Sequence, residues 1–432
     1  MRTTYHKTIT DQEAFKQRLL HWAQDYDDVV WLDSNHHNGN HSNYDAIMAV
    51  DAFTVLKTDH FSAFESLKEY QDSTKDWLFG YLTYDLKNAI ESLSSKNHDG
   101  LEFPDLYFFQ PKKLFLIRDN QVTMHYLRMV DDEMEEDLEA ITKIDLNADT
   151  EHSETIKIRL RIHKDEYFEK VTTMLKHIQR GDIYEANFCQ EFFSEDAQID
   201  PVSIYNNLNA ISQPPFATFL KCNDKYLLSA SPERYLKRDG NKVISQPIKG
   251  TAKRALDAKE DEALRVRLMH DEKERSENIM IVDLVRNDLA HTAKRGTVKV
   301  EELCKVYTFE QVHQMISTVS SEVESDTHSV DIIKTTFPMG SMTGAPKISA
   351  MKIIEDLEET KRGLYSGAVG YFTPEQDFDF NVIIRSILYN AQKQYVSYSV
   401  GSAITAKSDP LKEYEECLIK AKAMRQVLEG NN

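Results

Sequence analysis

Apolar and polar positions alternate most clearly in two stretches of the first 165 residues. The segment DVVWLDSNHHNGNHSNYDAIMAV, residues 28–50, is β-rich at both ends and dense in Asn, His and Ser between them. Strand-forming residues on either side of turn-forming ones predict two strands around a loop. The segment TIKIRLRI, residues 155–162, alternates apolar and polar residues and predicts a further strand.

Three later runs carry the same signal near the C-terminal end. They are RGLYSGAVGYF (362–372), DFNVIIRSILY (379–389) and YSVGSAIT (398–405), and each contains small residues or a turn. We expect a hairpin-rich sheet here, with Arg385 inside an apolar strand. A buried arginine needs an anionic partner, which is either a structural carboxylate or a substrate.

Helical periodicity marks three other segments. Residues 163–182 repeat apolar positions at helical spacing, and Gly181 marks the end of this predicted helix. Residues 271–288 show the same spacing of apolar positions around VDLVRND. Residues 408–424 contain Pro410 near their start, which suits the first turn of a helix. The segment FPMGSMTGAPKISAMKIIEDLE, residues 337–358, predicts a loop that enters an amphipathic helix. Backbone N–H groups and Thr343 at such an entry favour anions, although most loops of this kind are plain turns.

The best candidate for a domain boundary is the acidic, apolar-poor segment 130–154. It divides the chain into an N-terminal α+β region, residues 1–150, interleaved with the core, and a catalytic unit, residues 155–432. The sequence contains no internal repeat, no phosphate-binding G-x-x-x-x-G-K-[ST] loop and no dinucleotide fingerprint.

Composition is that of a globular protein, with 41% hydrophobic and 28% charged residues among 432. The net charge of −19 excludes nucleic acid as an expected partner, and an anionic substrate would need a bound cation or an arginine. No apolar run is long enough for a membrane helix, the N-terminus lacks a signal-peptide core, and the four cysteines are scattered. We therefore expect a cytoplasmic protein without disulfides.

Two E-x-x-E pairs are candidate metal ligands. Glu274 and Glu277 share one helical face, and Glu413 and Glu416 share another. Such pairs usually lie on solvated faces. Two of them facing each other would instead offer the oxygen ligands that Mg²⁺ prefers.

Two further residues occupy strand-to-turn corners. Lys249 stands in QPIKGTAKR, residues 246–254, and Glu233 follows Pro232 in SPERYL. Each is either an exposed turn charge or a reactive group. Glu233 would serve as a general acid if its pKa were raised.

Taken in order, nine segments resemble the chorismate-utilising enzymes, a family with anthranilate-, aminodeoxychorismate-, isochorismate- and salicylate-forming members. They are GDIYEANF, SPERYL, PIKGTAKR, DEKERSENIMIVDLVRND, FPMGSMTGAPK, RGLYSGAVGY, FNVIIRS, GSAITAKSDPLKEYEE and KAKAM. The resemblance covers about residues 160–426. It implies an α+β fold of large, mostly antiparallel sheets that form a sandwich flanked by helices.

The resemblance also implies a Mg²⁺ site and a substrate pocket. Glu277 and Glu416 match the direct metal ligands, Glu274 and Glu413 match their neighbours, and the ion would grip the ring carboxylate of chorismate. The second carboxylate would be held by residues on the opposite side: Arg385, Tyr365, Thr343, Gly401 and Ser402. Gly250 and Thr251 are expected to line the substrate with Asn278.

Two positions distinguish members of the family. Lys249 matches aminodeoxychorismate-forming members, whereas anthranilate-forming members carry Ala there, and Asn278 stands where the latter carry His. Glu185 replaces the lysine base of the isochorismate-forming members and the Gln of the aminating ones. Ala403 and Lys407 depart from the family's G-x-G-I-V region.

The implied mechanism uses Lys249 as a nucleophile at C2 and Glu233 as the acid that protonates the departing C4 hydroxyl, with ammonia then adding at C4. A lysine nucleophile must be partly neutral, so we expect its pocket to lower its pKa. The sequence contains no recognisable glutaminase region, which implies a separate glutamine amidotransferase subunit. The alternatives are an anthranilate-forming enzyme and a non-catalytic chorismate-binding relative.

Overall fold

Antiparallel strands organise the backbone of the computed structural model, which describes residues 1–37, 41, 43–146, 156–309 and 312–430. The strands within those residues are β1 Arg2–Thr8, β2 Asp28–Asp33, β3 Ala46–Thr58, β4 Leu78–Leu82, β5 Leu106–Arg118, β6 Gln121–Leu127, β7 Arg159–Leu160, β8 Glu185–Ser194, β9 Phe216–Cys222, β10 Lys225–Ser231, β11 Arg234–Asp239, β12 Lys242–Gln246, β13 Ile248–Lys253, β14 Lys299–Thr308, β15 Val312–Glu322, β16 Gly344–Ala345, β17 Ala368–Phe372, β18 Phe378–Val382, β19 Ser386–Asn390 and β20 Tyr395–Thr405. The α-helices are α1 Gln12–Ala23, α2 Ala63–Thr74, α3 Lys87–Ile90, α4 Met134–Lys143, α5 Lys164–Arg180, α6 Pro201–Ser212, α7 Ala258–Met269, α8 Glu272–Ala290, α9 Ser329–Thr336, α10 Lys347–Leu357 and α11 Pro410–Glu429.

Strand β5 joins two branches of one large sheet. Its C-terminal half pairs with β6, its N-terminal half pairs with β4, and β3 runs along both halves. One branch continues from β3 through β2, β9, β10, β19 and β20 to β8. The other continues from β4 through β17, β18, β11 and β12 to β15, beside which β13 lies.

Two apolar cores lie on opposite sides of the first branch. One core contains residues of both branches, such as Leu220 of β9 and Phe380 of β18, and it therefore fills the space between two sheet layers. The other core packs the outer face of the first branch against α1, α5, α6 and α11. Alternating side chains of one strand serve both cores: Ile47 faces the first and Met48 the second. The predicted α+β fold, with antiparallel layers and flanking helices, is confirmed.

Local sequence signals placed the predicted helix ends well. Asp271 caps α8, because its carboxylate accepts a hydrogen bond from the N–H of Glu274 at 3.0 Å. Asp409, directly before Pro410, caps α11 in the same way by accepting from the N–H of Lys412 at 3.0 Å. Gly181 ends α5 in the left-handed conformation, with φ of +83°. No helix among the described residues is long and apolar enough to cross a membrane.

The strand predicted over residues 155–162 is mostly wrong. Only Arg159–Leu160 forms β7, which pairs with Phe192 and Phe193, while Ile158 is buried in the core under the helices. Residue 155, the first residue of this predicted strand, lies outside the described residues. So do residues 147–154, which form the end of the predicted domain boundary at 130–154. Strand β2 of the predicted N-terminal region pairs with β9 of the predicted catalytic unit, so one sheet contains strands of both. The division of the chain into these two regions stays a prediction.

Candidate active site

Lys249, the second residue of β13, lies between two carboxylates from distant parts of the chain. Its Nζ is 3.4 Å from Oε1 of Glu185, at the start of β8, and 3.9 Å from Oε2 of Glu277 on α8. The lysine side chain is 18% exposed and those of the two glutamates are 3% and 9% exposed. Lys249 of QPIKGTAKR is therefore a largely buried amine and not an exposed charge in a turn.

The electrostatics of this amine differ from the expectation. Burial acts to lower the pKa of Lys249, but the charges of Glu185, Glu277, Glu416 and Glu274 outweigh it, and the pKa is raised. The predicted lowering is wrong for the free protein, because the sequence did not reveal how many carboxylates converge on one lysine.

Asn278 and Gly250 fix the backbone on which Lys249 stands. The Asn278 amide donates to the carbonyl oxygens of Lys249 and Met315, both at 3.3 Å, and its Oδ1 accepts from the Ser317 hydroxyl. These bonds use the side chain within the protein, so Asn278 positions the strand that carries Lys249, and its predicted contact with the substrate stays a prediction. Gly250 has φ of +102°, and a Cβ there would lie 3.2 Å from Oε2 of Glu274.

Glu233 occupies the corner between β10 and β11, and it is only 4% exposed. The Ser341 hydroxyl donates to its Oε1 at 2.7 Å. Burial raises the pKa of Glu233 to about 7, although the bond from Ser341 and the charge of Lys249 partly oppose that rise. A carboxyl group with this pKa carries a proton near neutral pH, which is what a general acid requires.

One glutamate of each E-x-x-E pair lies within 4 Å of the same lysine. Lys273 lies between them, with its Nζ 3.7 Å from Oε1 of Glu277 on α8 and 3.8 Å from Oε1 of Glu413 on α11. Burial raises the pKa of Glu277 to about 7 and also raises the pKa of Glu274. Burial acts in the same direction on Glu416, but the adjacent Lys420 holds the pKa of that carboxyl below its usual value.

The chemistry of this carboxylate set fits a hard divalent cation. All four side chains offer oxygen, and Oε1 of Glu277 is buried without a hydrogen-bond partner. Throughout the described part of the chain, however, no three His, Cys, Asp or Glu side chains converge closely enough to hold a metal ion as they stand.

Arg385 lies at a bend between β18 and β19 and not inside a strand. Its φ is +53°, a left-handed conformation that ends one strand before the next begins, so the prediction of a strand position is wrong. Burial lowers the pKa of its guanidinium, and the neighbouring Tyr365 and Glu416 only partly offset that effect. Arg385 forms no ion pair with any described residue, which leaves its charge available to a ligand.

Gly401 and Ser402 belong to β20, beside β8. A Cβ at Gly401 would lie 2.6 Å from both Oδ1 of Asn187 and Sγ of Cys189, so only glycine fits there. Lys420 links the two sides of the site, because its Nζ donates to the Gly401 carbonyl at 2.9 Å and pairs with Glu416 at 2.6 Å. Ser402 is buried, with its hydroxyl 3.5 Å from that of Tyr167.

Thr343 and Tyr365 are both buried near β8. The Thr343 hydroxyl donates back to the carbonyls of Met339 and Gly340, at 3.3 and 3.2 Å, so it stabilises its own loop. The Tyr365 hydroxyl is 3.8 Å from Sγ of Cys189. Thr251 and Lys407, by contrast, are exposed and share no described hydrogen bond with the other site residues.

Arg362 and Ser341 are functional candidates that the sequence reasoning missed. Arg362 is buried and forms an ion pair of 2.6 Å with Glu358. Its guanidinium also donates to the carbonyl of Met342 at 2.6 Å and to that of Asn187 at 2.7 Å. These bonds join the loop that carries Ser341 to β8. The sequence offered one signal for this role, which is the arginine that precedes the turn in RGLY. The carbonyls that Arg362 binds, those of Met342 and Asn187, lie too far away in sequence to be identified from it.

Replacing Arg362 with methionine should destabilise the protein by about 3–5 kcal/mol, because Glu358 would remain buried without a counter-charge. Urea denaturation measures this loss. The matched control is Arg286→Met, since Arg286 pairs with Asp283 at 2.8 Å in an exposed position and such pairs contribute about 0–1 kcal/mol. Equal effects of the two substitutions would contradict the role assigned to the buried pair.

Comparison with known proteins adds independent information. The profile of a family described as chorismate binding enzyme matches residues 16–426. An anthranilate synthase component I-like protein of Synechocystis sp. is 35% identical over 356 residues, 82% of this chain and 73% of that protein. Aminodeoxychorismate synthase component 1 of Bacillus subtilis is 33% identical over 365 residues, 81% of this chain and 76% of that protein. The crystal structure of anthranilate synthase component I from Streptococcus pneumoniae matches with a TM-score of 0.79 and 24% identity over 90% of this chain and 95% of that chain, which supports the fold alone.

Proposed function

The chain belongs to the chorismate binding enzymes, and from that premise we propose that it converts chorismate and ammonia to 4-amino-4-deoxychorismate. The observation that carries this proposal is that Lys249 lies close enough to Glu233 for the charge of the lysine to lower the pKa of that carboxyl. A largely buried amine and a buried carboxylic acid, whose pKa the lysine charge influences, lie in one site. A nucleophile and a proton donor are the two groups that this substitution requires.

The first step forms a bond from the Lys249 nitrogen to C2 of chorismate. Glu185, the carboxylate in contact with the amine, accepts the proton that Lys249 must lose. As the C2–N bond forms, both ring double bonds shift, from C1=C2 and C5=C6 to C1=C6 and C4=C5, and the C4–O bond breaks. Glu233 gives its proton to the departing hydroxyl, which leaves as water.

The second step replaces the lysine. Ammonia forms a bond to C4, both double bonds shift back to C1=C2 and C5=C6, and the C2–N bond to Lys249 breaks. The ammonium group at C4 gives a proton to the Glu233 carboxylate, and Glu185 returns a proton to Lys249. The sum is chorismate plus ammonia giving 4-amino-4-deoxychorismate plus water.

We further propose that ammonia comes from a separate glutamine amidotransferase subunit in the cell. The Bacillus subtilis relative is itself named as component 1 of a synthase, which supports a partner for that protein. The product would feed 4-aminobenzoate and folate synthesis. The four cysteines of this chain are buried free thiols, as is usual in a reducing compartment, and we infer a cytoplasmic enzyme.

Mg²⁺ is the proposed cofactor, held by Glu277 and Glu416 with Glu274 and Glu413 close by. When bound, the ion would neutralise a carboxylate of chorismate beside a protein of net charge −19. Arg385 would hold the other carboxylate, together with Tyr365 and the backbone at Gly401 and Ser402. The chain would thereby fix the ring between the lysine and the acid.

Mg²⁺ should stabilise the protein even without substrate. At a hundred times its Kd, a ligand that binds only the folded state adds about 2.7 kcal/mol to the free energy of unfolding, and thermal denaturation with and without EDTA measures this. The variant Glu277→Gln should lose the Mg²⁺-dependent rise in Tm. Glu272→Gln, an exposed change in the first turn of the same helix, should keep it. If both variants respond as the wild type does, the ion binds elsewhere.

One assay tests the reaction itself. The purified chain is incubated with chorismate, Mg²⁺ and an ammonium salt, with and without aminodeoxychorismate lyase, and the products are followed by mass spectrometry. An aminated, dehydrated adduct that becomes 4-aminobenzoate only with the lyase is the expected result. Anthranilate formed without the lyase would establish the competing activity, which the name of the Synechocystis relative also supports.

A further inference from the structure

A cavity of about 20 Å³ lies beside the buried carboxyl of Glu233. One water molecule requires roughly 10–15 Å³, so the cavity has room for a single molecule of that size. Ammonia is as small as water, with one lone pair and three N–H groups. Chorismate, a six-membered ring with two carboxylates, is far too large to enter.

Polar groups line the cavity on several sides. Glu233 and Ser341 contribute to it, as do Ser245 and Asp288. Ser341 donates its hydroxyl proton to Glu233 at 2.7 Å, and Ser245 donates its own to a backbone carbonyl at 2.8 Å. Both hydroxyl oxygens therefore keep lone pairs that can accept from an N–H donor.

The rest of the lining favours an uncharged occupant. Val285, Leu289 and Met339 present apolar surface to the cavity. Two charged residues of the lining are paired: Asp288 with Lys347 at 2.9 Å, and Arg234 with Asp379 at 2.9 Å. Burying an ammonium ion here would cost its hydration and would require Glu233 in its charged form as counter-ion, whereas burying neutral ammonia costs much less hydration. Neutral ammonia is also the form that can act as a nucleophile.

We propose that this cavity binds the ammonia molecule that replaces the C4 hydroxyl of chorismate, an inference that rests on the proposed function. Glu233 lines the cavity and also delivers a proton to the hydroxyl leaving C4, so a molecule in the cavity lies beside the acid that serves that carbon. The carboxylate left behind is then in place to accept the proton that the incoming nitrogen releases. One residue thus serves the departure of water and the arrival of ammonia in turn.

The test fills the cavity without touching the reacting groups. Val285→Ile adds one methylene group to the lining and should raise the KM for ammonium about tenfold or more, while the KM for chorismate changes less than about twofold. Val282→Ile is the matched control, because Val282 is buried on the same helix but does not line the cavity. Both variants are assayed as the whole chain with chorismate and ammonium chloride, and their folding is checked by circular dichroism.

A second variant tests the opposite change. Val285→Ala enlarges the cavity and should increase the use of methylamine relative to ammonia, again by about tenfold. An unchanged KM for ammonium in Val285→Ile, or a lower kcat at every ammonium concentration with the same KM, would assign the cavity to water and overturn the proposal. If instead the wild-type chain forms no aminated product, the proposed function itself fails. The two failures are therefore distinguishable.

Discussion

Replacing Lys249 with alanine should reduce formation of 4-amino-4-deoxychorismate by roughly a thousandfold or more, since the lysine nitrogen that forms the bond to C2 is then absent. The loss should fall on kcat and not only on KM, because the lysine acts during the reaction. Steady-state assays of aminated product at saturating chorismate and ammonium measure it.

A charge control separates chemistry from electrostatics. Lys249 compensates Glu185 and Glu277, so the alanine variant also leaves two buried carboxylates with less positive charge nearby. Lys249→Arg keeps a cation between them and should retain most of the stability, yet it cannot serve as the nucleophile. Both variants are therefore expected to be inactive, and only the alanine variant should be markedly less stable in urea.

The covalent step has a direct signature. In the absence of ammonia, wild-type protein mixed with chorismate should gain the mass of chorismate less one water, and neither variant should do so. Intact-protein mass spectrometry measures the change. If the alanine variant makes the aminated product at the wild-type rate, Lys249 is not a nucleophile and the two-step mechanism fails.

Local signals in the sequence were sufficient for much of the fold. Pro410 and Gly181 mark helix ends through their own backbone preferences, and the runs around residues 28–50 form β2 and β3 with Val29 opposite Val50. Such features depend on neighbours within a few residues. The short β7 and the bend at Arg385 were not predictable in this way, because packing of distant segments decides where those strands stop.

The same distinction between local and distant contacts applies to the candidate site. The residue types of the carboxylate pairs and of Lys249 and Glu233 were enough to single them out as candidates, and their roles stay predictions. Their surroundings could not be derived, since Ser341 is 108 residues from Glu233 and Arg362 is 175 residues from Asn187. The raised pKa of Lys249 likewise depends on carboxylates from three separate segments.

Replacing Glu233 with glutamine should give an enzyme that is more stable and nearly inactive. Glutamine keeps an oxygen for the Ser341 hydroxyl, but it cannot donate a proton to the leaving hydroxyl. A general acid contributes about 10²–10⁴-fold to a rate, so kcat should fall by that factor. Measurement of product formation across pH 5–9, at a fixed concentration of neutral ammonia, separates this loss from any effect on the second substrate.

The pH dependence follows from the direction of the pKa shift. The pKa of Glu233 is about 7 in the folded protein against an ordinary value of 4.5. Between these values the folded protein binds a proton that the unfolded chain has lost, so the free energy of unfolding falls as pH rises through this window. The total cost is about 3 kcal/mol. The wild-type kcat/KM should also fall above pH 7, where Glu233 is ionised.

Glu233→Gln removes the ionisable group and should therefore remove this cost. At pH 8 the variant should unfold with a free energy about 3 kcal/mol higher than the wild type, whereas at pH 4.5 the two proteins should be nearly equal. Urea denaturation at both pH values measures the difference. A constant gap at both pH values would mean that burial does not raise the pKa of this carboxyl. Glu233 would then be ionised near neutral pH and could not serve as the general acid.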